Sequence, residues 1–205
     1  IEVKEELDWL AASASVSDWM FFNNGSWLEK VYEKYGEKFD SRDIKKGKFW
    51  AFQRNLSSAI IYYKDNYLKL YDEFPKEFGV LGNLEKAVSE VDSEIEKAVE
   101  MFNKEKKKIN GRWFWEGEFK FGVTSIVINI VSHESSNETF VLGSKEGEFY
   151  KISARRQDRK EDCSVLVKNL VSGLEEANSG GHIPAAGGYF KLKNVDEFKK
   201  KLEIV

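Results

Sequence analysis

The chain has few of the residues that staple small folds or build histidine-rich centres. Among its 205 residues there is one cysteine, Cys163. That excludes an internal disulfide and fits a reducing compartment. There are two histidines, His133 and His182. Hydrolytic metal centres with nitrogen and oxygen ligands recruit several histidines alongside carboxylates, so a His-rich cluster is excluded whatever the fold. No apolar run approaches the roughly 18 residues of a membrane span, and no signal peptide is visible. A cytoplasmic location without membrane contact is therefore expected. Charge of one sign is also missing in bulk: 32 basic residues face 35 acidic ones, for a net charge of −3. A globally basic coat for nucleic acid is excluded, so any such site must be a local patch. The first residue is Ile1 rather than Met, which suggests a chain processed, trimmed or cut from something longer.

What is present suffices for a core. The chain is 41% hydrophobic, 33% charged and 14% aromatic, enough for one sizeable domain or two small ones. Residues 1–75 read as helical. Leu7 to Met20 has helical spacing and stops near Asn23-Asn24-Gly25, and Ser26 is placed to cap a second helix through Lys34. A third is expected from about Lys48 to Phe74, because Phe49, Phe52, Leu56, Ala59, Tyr63, Tyr67 and Leu70 recur at three- and four-residue steps. Such a stripe marks core rather than a base-stacking surface. From 84 to 109, Leu84, Val88, Val91, Ile95, Ala98 and Phe102 make one apolar stripe on a long helix with Glu and Lys on its other faces. That pattern suits a helix linking two lobes and equally one more packed helix.

After Gly111 the pattern turns to strands. Gly122–Val131 reads as a strong β run, Thr139–Leu142 and Glu148–Ser153 as shorter strands, and Tyr189–Lys193 as another. Ser164–Ala177 reads as a helix, and Asn194 with Glu197 as a capping pair for a last helix. The expected fold class is α/β: a helical part over 1–83, a connector helix over 84–110, and an α/β domain with a mixed sheet over 111–205.

Two segments could carry chemistry. Ser179-Gly180-Gly181-His182-Ile183-Pro184-Ala185-Ala186-Gly187-Gly188 has almost no side-chain bulk. It reads as a loop, either a tight structural turn with His182 as a polar anchor or a phosphate cradle of backbone N–H groups plus His182. The second segment follows a predicted strand: Lys151, Arg155, Arg156, Arg159 and Lys160 face Asp158 alone between 151 and 160. Residues 110–205 hold 14 basic and 14 acidic side chains, so this cluster is local. It is either a solvated loop or a phosphate site, for which the arginine fork is suited. Cys163 is expected to be structural, and His133, in a polar stretch, is assigned no role.

The order strand, Ser153-Ala154-Arg155, helix, Ser179-Gly180-Gly181-His182, Ala185-Ala186-Gly187 resembles the DHH-associated domain of RecJ-type and related DHH phosphoesterases. In that family a strand ending in Ser-x-Arg is followed by a helix and a Gly-Gly-Gly-His loop running into Ala-Ala-Gly. Here Ser179 stands for the first glycine, and Ile183-Pro184 is a departure from the family loop. The resemblance covers roughly residues 112–205 and implies that Ser153, Arg155, Arg156, Gly180, Gly181 and His182 contact a phosphate or terminal nucleotide. More weakly, Leu10–Asp18 resembles the last motif of the DHH catalytic domain, with Asp18 as its aspartate and Ser17 in place of glycine, so that the helical first part would be a remnant of that domain. The Asp-His-His and Asp-x-Asp motifs, which hold two manganese or magnesium ions in the family, are absent from this sequence. Asp18 is the one residue matching a family metal motif, so no cofactor and no hydrolysis are expected of the chain as it stands.

The resemblance thus implies one of two functions. The first is a short, non-catalytic relative of the kind found in archaea, binding single-stranded DNA and working as a scaffold with the GINS complex and the MCM helicase. The aromatic first part, with Trp19, Phe21, Phe22 and Trp27, would offer its partner surface. The second is the end of an active manganese-dependent single-strand exonuclease or nucleotide phosphodiesterase. A short nucleotide as ligand stays open beside a polymer.

Overall fold

A computed structural model describes residues 5–18 and 20–205; Trp19 lies outside them. Among the described residues there are eight α-helices and one six-stranded mixed sheet. The chain divides into two compact units, one up to Asp92 and one from Ser93.

The first unit is helical: α1 (Asp8–Ser17), α2 (Gly25–Lys34), α3 (Lys48–Tyr62), α4 (Tyr67–Asp72) and the beginning of α5 (Glu85–Glu105). Its core is aromatic. Tyr32 and Phe49 stack at 4.2 Å between ring centroids, and Phe49 and Phe78 do the same. The expected stripe on α3 is buried, but Tyr67 is 60% exposed. The helix expected to run unbroken to Phe74 is interrupted, because Asn66 leaves helical geometry and its Oδ1 accepts from the Lys69 N–H, capping a new helix. Phe21 is buried, Trp27 half-buried and Phe22 exposed. The α5 stripe is fully buried. Leu84 and Val88 join the first core, while Phe102 packs edge-on against Trp115 and near Phe140 in the second unit.

The second unit runs from the rest of α5 through β1 (Lys107–Ile109), β2 (Arg112–Gly117), α6 (Thr124–Glu134), β3 (Phe140–Glu146), β4 (Phe149–Arg155), α7 (Cys163–Val171), β5 (Asn178–His182), β6 (Ala185–Lys191) and α8 (Val195–Ile204). Strand order is β1-β2-β3-β4-β6-β5. Only β2 and β3 are parallel; the other neighbours are antiparallel.

Several expectations are corrected. The long helix stops at Glu105, and Lys107–Ile109 is strand. Asn110 and Gly111 both take positive φ, +43° and +80°, and turn the chain so that Ile109 faces Arg112. This is the two-residue hairpin geometry that an Asn-Gly pair favours. The run Gly122–Val131 is not a strand but the start of α6. Its buried residues Val123, Val127, Ile128 and Val131 fall on one helical face. A helix is also what the topology needs, because β2 and β3 are parallel and require a crossover. Helix α7 begins one residue earlier than expected, with Asp162 Oδ1 accepting from the N–H groups of Ser164 and Val165, and it ends at Val171. Asn194 precedes α8 without capping it. Its Oδ1 accepts from the Glu175 N–H at 3.4 Å instead.

One face of the sheet carries Phe114, Val141, Ile152, Tyr150 and Phe190 into a core closed by α7 and α8. On the other face α6 packs over β3 and β4, with Thr124 Oγ1 3.0 Å from Ser144 Oγ.

Candidate phosphate-binding shelf

The small-residue segment is a β-hairpin, not a loop. Asn178–His182 is the edge strand β5, and Ala185–Lys191 pairs with it antiparallel. Its two-residue link, Ile183-Pro184, is tethered at both carbonyls. Cys163 N–H donates to Ile183 O and Arg156 N–H to Pro184 O, each at 2.9 Å. The tip is thereby locked to the end of β4 and the start of α7.

Register then decides which residues meet. Arg155 pairs with Ala185, which pairs with His182; two residues on, Ser153 pairs with Gly187, which pairs with Gly180. Side chains alternate between faces with period two, so Arg155, His182, Ser153 and Gly180 share one face. Gly181 lies in the row between, opposite Ala186 on the α7 side.

The glycines divide by cause. A Cβ on Gly181, whose φ is +144°, would stand 2.4 Å from the Cα of Ala186, and one on Gly188 would meet Asn178 O at 2.8 Å and Val167 of α7 at 3.0 Å. Both positions exclude a side chain because backbone and helix press close. A Cβ on Gly180 would meet nothing within 4 Å. With Gly187 beside it, Gly180 leaves a bare shelf over β6 and β5, next to the half-buried Ser153 and Arg155 and the exposed His182.

The basic cluster separates in the same way. Arg156 is held by Asp158, with Nε donating to Oδ1 at 2.6 Å and the second guanidinium nitrogen to Oδ2 at 3.1 Å. That hydrogen bond, with help from the Lys160 N–H, draws the Asp158 carboxyl down to about 2. Lys151 pairs with Glu146 at 2.5 Å. Arg159 and Lys160 are exposed. Arg155 has no carboxylate partner among the described residues. One of its nitrogens donates to Ala154 O at 2.9 Å and reaches Ala186 O at 3.4 Å, and burial pulls the guanidinium below the usual arginine value. A half-buried cation with unused donors beside an open floor is arranged to accept an anion. Cys163 is fully buried, and burial pushes its thiol up to about 11, which suits packing rather than nucleophilic chemistry.

Asp18 is far from this chemistry in kind. It follows α1 at an apolar hollow of about 230 Å³ lined by Leu10, Ala14, Leu56, Ile60 and Phe74, with Ser13, Ser17, Gln53 and Ser57 as its other polar groups. Among the described residues Asp18 is the only carboxylate lining it, and no group of three or more His, Cys, Asp or Glu stands where it could hold a metal ion. This donor set does not fit a pair of manganese or magnesium ions.

Residues 105–204 match the sequence profile of the DHHA1 domain. The match covers 100 of the 205 residues and lies within the second unit, which is thus similar in sequence to DHHA1 domains. Solved structures agree in fold. The DHH domain of a member of a family of ribosomal proteins is 16% identical with a TM-score of 0.57, over 96% of this chain and 49% of that one. RecJ from Thermus thermophilus, in complex with manganese, is 14% identical with a TM-score of 0.56, over 86% of this chain and 26% of that one. A manganese-bound exonuclease RecJ is 16% identical with a TM-score of 0.55, over 86% and 44%. The chain thus spans about half or less of the length of these relatives. No curated protein matches it in sequence. Among the described residues no helix is long and apolar enough to cross a membrane.

Proposed function

We propose that the shelf grips a phosphate of single-stranded DNA, with Arg155 as the charged ligand, His182 and Ser153 as flanking polar groups, and Gly180 as the floor that lets the backbone approach. In this reading the chain is a non-catalytic RecJ-like replication factor, and its partners are the GINS complex and the MCM helicase of an archaeal replisome. The observation that carries the phosphate site is Arg155 itself, a cation without a counter-ion among the described residues, beside an open glycine surface. The non-catalytic part is supported by Asp18, whose described surroundings supply no second carboxylate.

A second reading has its own support. The two RecJ structures of similar fold hold manganese, and this chain covers only 26% and 44% of them. The same shelf would then position a strand for an exonuclease or nucleotide phosphodiesterase whose catalytic groups lie in a longer protein.

The test is a labelled single strand incubated with the chain and manganese, then split between a native and a denaturing gel. A shifted, intact strand supports the binding protein, and co-purification with GINS is the next step. Progressive shortening overturns it in favour of the enzyme. No shift and no cleavage removes the phosphate site.

A further inference from the structure

The sheet has a second basic surface, at the edge opposite the shelf. Strand β1 begins at Lys107, opposite Phe114. Beyond that point Trp115 and Glu116 of β2 have no strand on their outer side among the described residues. The missing strand leaves a groove of about 740 Å³ bounded by Lys104, Lys106, Lys107 and Lys199.

Of the two carboxylates in the groove one is neutralised by a lysine and the other keeps its charge. Glu105 accepts from the Trp115 indole N–H at 3.2 Å. Glu116 accepts from the Tyr150 hydroxyl at 2.8 Å and pairs with Lys199 at 2.7 Å. Lys104 and Lys107 have no acidic partner among the described residues, whereas the charge of Lys106 acts on the Glu138 carboxylate and helps hold it below its ordinary range. Lys106 is oriented by neutral groups, donating to Asn103 Oδ1 at 2.9 Å with its ammonium 5.3 Å from the Trp113 ring centre. Lys104 and Lys107 are exposed. Their neighbour Lys108, by contrast, is tied to Glu138 at 2.8 Å. With Glu105 keeping its charge, four lysines against two carboxylates leave this concave surface with a net charge of +2, which attracts a chain of phosphates more than a single one.

We propose that this groove is a second phosphate-binding site, reached by a nucleic-acid strand too long to be held by the shelf alone. The proposal rests on the shelf reading for its other anchor. Measured across the sheet, β2 lies two strand spacings from β4 and four from β5, about 10 and 19 Å, and the path is longer because α6 packs over β3 and β4 on the shelf face, so the phosphates of a dinucleotide do not span it. The groove would therefore make the domain select a polymer over a short nucleotide.

The experiment is a length series read by fluorescence anisotropy: a 5′-phosphorylated dinucleotide and single strands of increasing length, against the chain, its Lys104→Gln/Lys107→Gln variant and its Arg155→Ala variant. The unmodified chain should gain affinity with length beyond the proportional gain that added registers give. The double lysine variant should lose that excess, keep its dinucleotide affinity, and show a slope of log K against log salt shallower by about 0.7 per lysine. The same excess and the same slope in the double variant would overturn the groove, as would a flat series in the unmodified chain. Lysine-dependent binding of an acidic peptide with no length effect on DNA would also overturn it, in favour of a protein partner. If Arg155→Ala leaves dinucleotide affinity intact while the lysine-dependent excess remains, the shelf reading fails and the groove stands.

Discussion

Arg155 and His182 belong to one row of the sheet, each paired across its ladder with Ala185. They are 27 residues apart in sequence, and the tether of the Ile183-Pro184 turn to Cys163 and Arg156 holds that register. The chemistry assigned to the shelf depends on this pairing, since a slip of one residue would send His182 to the opposite face.

Replacing Arg155 with Ala should weaken single-strand binding about tenfold to a hundredfold, the usual worth of a charge-assisted hydrogen bond. The loss should be uniform across sequences, because phosphate contacts position a strand without reading it. Titrations with three unrelated oligonucleotides check this. A loss confined to one sequence would contradict a phosphate contact.

Asp158→Asn should strengthen binding several-fold at low salt. The carboxylate that now occupies the Arg156 fork would no longer compete with a phosphate. The pH dependence follows from the same pair. The Asp158 carboxyl is drawn down to about 2 from an ordinary 3.8. The pair is therefore intact above about pH 4 and is lost as the pH falls through about 2. Between pH 5 and 8 the gain in the variant should be constant, which binding isotherms at three pH values would show.

The glycine pair provides a contrast between stability and binding. Gly181→Ala forces a Cβ to 2.4 Å from the Ala186 Cα at a positive φ, and should cost about 2 kcal/mol or more. Gly180→Val meets open space, so thermal melting should change little while oligonucleotide affinity falls as the shelf is covered. Denaturant melts and anisotropy on both variants measure the two effects separately.

Cys163 predicts an alkaline limit. Its thiol is pushed up to about 11 by burial, from an ordinary value near 9. The unfolded chain therefore releases this proton first as pH rises. Stability should decline between about pH 9 and 11, and less so in Cys163→Ala than in the unmodified chain. Midpoints of urea unfolding across that range test it. At pH 8 a thiol-alkylating reagent should label the folded chain far more slowly than the unfolded one.

Much of the helical half is legible in the sequence because one residue type at one period leaves little choice. The stripe from Leu84 to Phe102 is buried along its whole length. Two local signals carry more than the pattern read across them. Asn110-Gly111 is a hairpin turn rather than a helix stop, and Asp162 is a helix cap. The run from Val123 to Val131 is harder. Its β-branched residues favour a strand, and its burial at four-residue steps serves a helix only because β3 pairs parallel to β2 and needs a crossover.

The sequence by itself determined the candidates for the proposed site: Ser153, Arg155, Arg156, Gly180, Gly181 and His182, in the order that resembles a DHH-associated domain, a resemblance matched over 105–204. It also determined that no His-rich metal cluster could form, because two histidines cannot make one. Tertiary structure alone decided which basic groups are uncompensated, since Asp158 holds Arg156 and leaves Arg155 without a carboxylate partner among the described residues. It also decided which glycine is open and which is pressed against backbone, since Gly180 and Gly181 are adjacent in sequence yet face opposite sides of a strand. The physical reason is the same in both cases: register, not composition, determines which atoms lie within hydrogen-bond or van der Waals reach across a sheet.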